Sequence, residues 1–123
     1  LDLRAASATA LFDRFTAGQP LAGPERAAMT PERGDVAAVW RYLKQHLPQN
    51  GQWGHVRLDA LAARISLSVP EHSVRRTLPS LTILSELGLI GLQRDGTEAA
   101  ICLIPNAAPN KLENSKLYQT LHI

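Results

Sequence analysis

The chain has 123 residues, enough for one domain with extensions but too few for a doubly wound nucleotide-binding enzyme or a barrel enzyme. Its hydrophobic fraction of 45% is that of a globular protein, and it contains no apolar run long enough to span a membrane. The 13 basic residues against 11 acidic ones leave a net charge of +2, which is well short of the basic surface of a dedicated nucleic-acid-binding protein.

The single cysteine, Cys102, cannot form an internal disulfide, and no secretory pattern opens the chain. These features predict a cytoplasmic protein. The chain opens at Leu1 without an initiator methionine, so we expect a fragment of something larger.

Residues 1–33 are predicted to form an N-terminal helix and linker. The helix is expected over residues 5–17, with Phe12 and Phe15 on a face that can contact a partner and Gly18 at its end. The prolines and glycines that follow indicate a linker or loosely packed loop with room for one short helical turn.

Residues 34–104 show the pattern of a compact domain. Over residues 35–47 the apolar residues recur at helical spacing, and Asp35 stands where a helix cap is expected. Residues 53–57 can supply one short strand, and residues 58–65 again place apolar residues on one helical face.

A third helix is predicted over residues 74–87. Pro79 lies inside it, so we expect a kink or a split into two pieces. Gly88 ends the helix, and the apolar period then changes from that of a helix to that of a strand.

The dipeptide of Asp95 and Gly96, between two apolar segments, is a strong hairpin signal. If these two residues form the turn, Ile90 lies opposite Ile101 on the apolar side of the hairpin.

This order of elements predicts an α+β fold: a winged helix-turn-helix of three helices and a two-stranded hairpin wing, with helical N- and C-terminal extensions. Residues 105–123 form the C-terminal tail, in which Asn110 and Glu113 resemble a capping box that opens a final short helix. Winged helices serve as DNA readers, as spacers and as docking modules, so the fold leaves the function open.

Three short motifs stand in the last third of the chain. Residues 86–90 are Glu-Leu-Gly-Leu-Ile, residues 105–106 are Pro-Asn, and the tail has the form Leu-x-x-Ser-x-x-Tyr at Leu112, Ser115 and Tyr118. In this order they resemble the C-terminal accessory domain of RecJ-type single-stranded-DNA-specific exonucleases.

The resemblance implies a cytoplasmic parent enzyme that degrades single-stranded DNA from the 5′ end with Mn²⁺ or Mg²⁺, in DNA repair and recombination. The family's catalytic core carries clustered Asp and His residues, whereas the four histidines here are scattered. We therefore expect no catalytic residue, metal site or cofactor in this chain. The expected partners are the rest of the parent exonuclease and a helicase, a translocase or a single-stranded-DNA-binding protein.

Candidate contacts with a partner or with DNA are the basic residues of the compact domain and an aromatic residue beside the first strand: Arg75, Arg76, Arg94, Arg57, Arg64 and Trp53. Arg75 and Arg76 open the third helix, where groove-reading helices place their contacts, and their charge also suits an acidic peptide. Changing both to Ala is expected to leave the fold intact.

Acidic neighbours surround Arg94 at the wing, so we expect weak, salt-sensitive and non-specific binding of duplex DNA. Trp53 can be exposed as a stacking platform or packed against the domain. His55 and His72 are expected at the surface or at a polar edge.

A possible docking tail comprises Leu112, Ser115, Tyr118 and Leu121. This tail can pack back onto the domain or dock on the parent enzyme. Three functions stay open: protein docking within a RecJ-like exonuclease, a DNA-binding regulator that contacts duplex DNA through residues 71–87, and a structural brace for the nuclease core.

Overall fold

The computed structural model describes residues 3–108 and 110–123, and these form an α+β fold. Over the described residues the chain order is α1 (Leu3–Thr16), α2 (Gly23–Met29), α3 (Arg33–His46), β1 (Gly54–Arg57), α4 (Leu58–Ile65), α5 (Val74–Glu86), β2 (Ile90–Asp95), β3 (Glu98–Leu103), a 3₁₀ turn (Leu112–Asn114) and α6 (Lys116–Leu121). In this part of the chain, no helix combines the length and the apolar character needed to cross a membrane.

The three strands form one antiparallel sheet in the order β1-β3-β2. The hairpin turn consists of Gly96 and Thr97, because Asp95 still pairs with Glu98 in the ladder. The expected turn at Asp95 and Gly96 is therefore wrong by one residue. Gly96 has a φ of 61°, and a glycine with positive φ at the first turn position is the requirement of a type II′ hairpin.

The corrected turn moves each pairing along the strand by two residues. Ile90 lies opposite Leu103, and Leu92 lies opposite Ile101. Side chains alternate between the two faces of a sheet with a period of two, so the same residues still point into the core.

Helix α5 is the central helix of the domain. Helices α1, α2, α3, α4 and α6 all pack on it, and so does β2. Its buried residues are four aliphatic residues, two residues with hydroxyl groups and one proline: Leu78, Leu81, Ile83, Leu84, Thr77, Ser80 and Pro79.

Pro79 stands inside α5, yet the helix runs without interruption from Val74 to Glu86, so the expected split is wrong. Proline has no N–H to donate to the carbonyl four residues earlier. The carbonyl that loses this donor is that of Arg75. The hydroxyl of Ser80 donates to the adjacent carbonyl, that of Arg76, at 2.7 Å, and five helices pack on α5.

The N-terminal extension is part of the core. Helix α1 packs on α5 and buries Phe12, so this side chain is not available to a partner. The segment predicted as a linker contains α2, which buries Met29 and begins where the Glu25 side chain accepts a hydrogen bond from the Ala22 amide. Helix α3 likewise begins at Arg33, earlier than expected.

The C-terminal tail also packs back onto the domain. Its last helix, α6, is capped by Ser115, whose Oγ accepts a hydrogen bond from the amide of Tyr118 at 3.1 Å. The expected capping box of Asn110 and Glu113 is therefore wrong, because the residues after Asn110 form a 3₁₀ turn before the helix begins.

Glu86 joins the tail to the end of α5. Its Oε1 accepts hydrogen bonds from Ser115 Oγ at 2.5 Å and from the Leu117 amide at 3.0 Å. Ser115 and Leu121 are buried, whereas Leu112 and Tyr118 are partly exposed. Of the possible docking tail, only these last two residues offer surface to another molecule.

Candidate functional site

A cleft of about 630 Å³ lies where the first turns of α1 and α5 approach α4. Ala62, Ala63 and Val74 give it an apolar floor, and the exposed side chains of Arg4 and Arg75 stand at its rim. Of these two arginines, the sequence predicts only Arg75 at a binding surface, because nothing local indicates that α1 returns to the start of α5.

The charge of the cleft is positive. Its lining contains Asp59, whose Oδ2 lies 2.7 Å from Nη2 of Arg57, so this carboxylate is already paired with a cation. Arg4 and Arg75 place two guanidinium groups at the rim. Arginine binds carboxylates through two parallel hydrogen bonds, so such a rim favours an acidic group.

Behind the cleft lies a buried polar cluster centred on Asp35. This carboxylate is completely buried and accepts hydrogen bonds from His72 Nδ1 at 2.7 Å, Arg76 Nη1 at 2.9 Å and the Glu32 amide at 2.8 Å. The cluster joins the start of α3 to the turn before α5 and to the first turn of α5.

The cluster changes the interpretation of two residues. His72, expected at the surface or at a polar edge, is buried, with its side chain completely enclosed. Arg76, expected to contact a partner or DNA, binds Asp35 with only 19% of its side chain exposed. Changing Arg76 to Ala would leave the buried carboxylate of Asp35 short of a partner, so the double alanine change is not neutral for the fold.

Asp35 is ionised in spite of its position. Burial raises the pKa of this carboxyl more than any other single influence changes it. The hydrogen bonds from His72 and from the Glu32 amide, together with the charge of Arg76, outweigh burial and hold the pKa of Asp35 below its ordinary value of 3.8.

The order of carboxylate, imidazole and hydroxyl in this cluster is that of a hydrolase triad. The second ring nitrogen of His72, Nε2, lies 2.8 Å from Oγ1 of Thr77. Thr77, however, is completely buried, and its hydroxyl also contacts the carbonyl of Ser73 at 3.1 Å. A substrate carbonyl cannot reach this oxygen, so the cluster links elements of the fold and does not attack a substrate.

Arg94, the candidate at the wing, is held by α1. Its Nη1 and Nη2 lie 2.6 Å and 2.8 Å from the two carboxylate oxygens of Asp13. This hydrogen-bonded pair lowers the pKa of Asp13. The guanidinium therefore ties the wing to the N-terminal helix and does not project towards a phosphate.

Trp53 lies on the outer side of the sheet with 49% of its surface exposed. Its ring covers Gly91 so closely that a Cβ added there would stand 3.0 Å from the indole and 2.6 Å from Sγ of Cys102. The six-membered ring of the indole thus packs against the sheet at Gly91. Arg64 is exposed on α4, outside the lining of the cleft.

Within residues 3–108 and 110–123, no three His, Cys, Asp or Glu side chains form a group that could hold a metal ion. Comparison of the chain with protein-family models, with curated proteins and with solved structures finds no match. The candidate site is therefore described from its lining residues alone, which place two guanidinium groups above an apolar floor.

Proposed function

We propose that this chain is the non-catalytic C-terminal domain of a RecJ-like, single-stranded-DNA-specific 5′–3′ exonuclease that acts in DNA repair and recombination in the cytoplasm, and that it docks a protein partner in the cleft. The observation that carries the docking function is the exposed guanidinium of Arg75 at the rim of a cleft with an apolar floor. The parent's Mn²⁺ or Mg²⁺ belongs to its nuclease core and not to this domain.

The element order supports a winged helix for residues 34–104. Helices α3, α4 and α5 would be its three helices, and the β2–β3 hairpin would be its wing. β1 adds a third strand at the edge of β3, between the first two of these helices in the chain.

The resemblance to RecJ-type enzymes gains support from a contact between its motifs. Glu86 opens the Glu-Leu-Gly-Leu-Ile motif, and Ser115 is the serine of the Leu-x-x-Ser-x-x-Tyr tail. These two side chains are hydrogen-bonded to each other. The two motifs that carry the resemblance thus contact each other, and this contact holds α6 against α5.

The burial of α5 argues against the DNA-binding regulator. A helix that reads the major groove needs an exposed face, but five helices pack on α5, and it is buried over most of its second and third turns. The wing is no better suited, since Arg94 is bound to Asp13 and is flanked by the exposed Asp95 and Glu98. Protein docking is the function that the exposed surface favours.

The partner suited to this cleft is a segment with acidic residues beside an apolar anchor. The guanidinium of Arg75 would bind a carboxylate of the segment, and the floor of Ala62, Ala63 and Val74 would take the apolar side chain. A helicase, a translocase or a single-stranded-DNA-binding protein that exposes such a segment would bring substrate to the nuclease.

The docking proposal is tested with a labelled synthetic peptide of three aspartates followed by two leucines, titrated against the 123-residue chain in fluorescence anisotropy. Arg75→Ala should weaken binding about fivefold, as expected for a partly exposed ion pair of about 1 kcal/mol. Arg41→Ala is the matched control, because Arg41 is an exposed arginine of α3 outside the cleft lining. Equal losses in the two variants would indicate general charge attraction and would contradict the cleft.

The proposal that this chain is non-catalytic makes a second prediction. Incubated with labelled single-stranded DNA and Mn²⁺, the chain should leave the DNA intact, because the described residues assemble no metal-binding group. Metal-dependent degradation that co-purifies with the chain and disappears in a point variant would overturn the non-catalytic assignment.

A further inference from the structure

The loop between α3 and β1 contains an asparagine followed by a glycine. Asn50 and Gly51 are the one such pair in the sequence, and Asn50 is exposed. The side-chain amide of an asparagine can be attacked by the backbone nitrogen of the next residue, which makes asparagine one of the thermally labile residues. A glycine in that next position has no Cβ to obstruct the attack. The sequence therefore places the two reacting groups side by side.

The fold holds the side chain of Asn50 across this peptide bond. Its Oδ1 accepts a hydrogen bond from the amide of Gln52 at 3.1 Å, which closes a turn around Gly51. Gly51 has a φ of 81°, a conformation that glycine adopts without steric cost. Within residues 3–108 and 110–123, no group accepts a hydrogen bond from the amide of Gly51. The attacking nitrogen is therefore not held by another contact.

The hydrogen bond from Gln52 favours the attack. Addition of a nucleophile to Cγ of Asn50 places negative charge on Oδ1, and an N–H that already points at this oxygen stabilises the charge as it develops. We propose that Asn50 is a self-modifying site, at which the nitrogen of Gly51 displaces the side-chain amide and leaves an aspartyl or isoaspartyl residue. The one co-reactant is water.

The reaction balances with water alone. Hydroxide takes the proton of the Gly51 amide, and the nitrogen forms a bond to Cγ of Asn50. The bond from Cγ to Nδ2 then breaks, and Nδ2 leaves as ammonia with a proton from water, which restores the hydroxide. Water opens the resulting cyclic imide at one of its two carbonyl carbons. Opening at Cγ gives aspartate, and opening at the main-chain carbonyl carbon gives isoaspartate, whose backbone runs through the former side chain.

The isoaspartyl product lengthens a loop that packs on both sides of the modified bond. Gly51 lies so close to Pro105 that a Cβ added to it would stand 3.3 Å from Cγ of the proline. Two residues later, the ring of Trp53 covers Gly91. An extra backbone carbon before Gly51 does not fit between these contacts without a shift of the loop. The indole of Trp53, with 49% of its surface exposed, is the contact that is free to move.

The site is tested by peptide mapping with mass spectrometry after incubation of the 123-residue chain at mildly alkaline pH. Asn50 should lose its amide faster than the other three asparagines, Asn106, Asn110 and Asn114, which are exposed but precede Ala, Lys and Ser. Gln52→Pro removes the N–H that faces Oδ1 and should slow the loss about fivefold, the rate effect of one hydrogen bond of about 1 kcal/mol. Gln52→Ala is the matched control, because it keeps this N–H. Equal rates of loss at the four asparagines would contradict the site.

A second measurement separates the effect of the turn from that of the local sequence. Urea unfolds the chain and removes the hydrogen bond from Gln52, but it leaves Asn50 beside Gly51. The folded chain should therefore lose the amide faster than the unfolded chain at the same pH. A slower reaction in the folded chain, or equal rates in Gln52→Pro and Gln52→Ala, would show that the turn does not promote the reaction and would overturn its proposed role.

The effect on the sheet surface is measured from the indole N–H signals in proton–nitrogen NMR spectra. The signal of Trp53, assigned with Trp53→Phe, should shift as isoaspartate accumulates, whereas the signal of Trp40 in α3 should stay in place. Asn50→Asp introduces the same charge on an ordinary backbone and should shift the Trp53 signal less. If the Trp53 signal stays unchanged in the converted chain, or shifts equally in Asn50→Asp, the lengthened backbone does not displace the indole.

Discussion

Two ion pairs in this molecule use the same chemical groups in opposite surroundings. Arg76 binds Asp35, whose side chain is completely buried, whereas Arg94 binds Asp13, whose side chain is 52% exposed. Both pairs have close contacts, and the exposed one is the better aligned, with two parallel hydrogen bonds. Contact geometry alone would rank the exposed pair higher.

The surroundings reverse that ranking. Water solvates either partner of the exposed pair when the other is removed, so little free energy is lost. At the buried site the remaining charge would keep its cost of desolvation without its compensation. The comparison therefore assigns the stability of the α3–α5 junction to Asp35 and only the orientation of the wing against α1 to Asp13.

The largest effect should come from Asp35→Asn, which keeps the shape of the side chain and removes its charge. Arg76 then loses its counter-charge inside the domain, and the hydrogen bond of His72 to the carboxylate is weakened. We expect the free energy of unfolding to fall by about 3–5 kcal/mol, measured by urea denaturation followed by circular dichroism. A loss below about 1 kcal/mol would show that burial does not distinguish this pair from the exposed one.

The next effect is a dependence of stability on pH that belongs to the buried pair. The pKa of Asp35 is lowered in the folded state, so its contribution to stability is complete above the ordinary value of 3.8 and is lost as the pH falls through the folded-state pKa. The loss amounts to about 1.4 kcal/mol for each unit by which folding lowers the pKa. Urea midpoints of the wild type should therefore decline in acid more steeply than those of Asp35→Asn. Parallel declines would contradict the assignment.

The sequence predicts an interaction only when the two partners are separated by few residues along the chain. The helical periods indicate α3, α4 and α5, and the glycine of the hairpin locates its turn to within one residue. The capping of α3 was also close to prediction, because the Glu32 amide and the Asp35 carboxylate are only three residues apart.

The site itself could not be predicted because its contacts are remote in the chain. Asp35 and His72 are 37 residues apart, and Asp13 and Arg94 are 81 apart. Local rules of spacing address helix turns and hairpins, not which helix covers which. One local signal for the buried cluster exists, the charged residue Asp35 directly before the apolar stripe of α3. On its own, this position indicates only a helix cap.

A hydrogen bond of intermediate exposure sharpens the comparison. Ser115 is completely buried, whereas Glu86, to which its hydroxyl is hydrogen-bonded, is exposed. The same hydroxyl also caps α6. Ser115→Ala should lower the free energy of unfolding by about 1 kcal/mol, the usual cost of a lost cap. Hydrogen exchange of the Tyr118 amide gives a local check, since this is the group that the cap binds. A loss as large as that of Asp35→Asn would mean that burial of one partner alone determines the cost.

The smallest effect should come from the best-aligned pair. Asp13→Asn removes the charge that holds Arg94, and the released guanidinium, already 32% exposed, gains solvation by water. We expect the free energy of unfolding to change by less than about 1 kcal/mol, and the difference from the wild type to shrink further as salt is added. Binding gives a second readout of the same variant. Arg94 is freed at the wing, so duplex DNA should bind slightly more tightly, with a steeper salt dependence in an anisotropy titration. A double variant with Arg94→Ala should restore the weak binding of the wild type. If Asp13→Asn instead costs as much stability as Asp35→Asn, the alignment of an ion pair matters more in this protein than its burial.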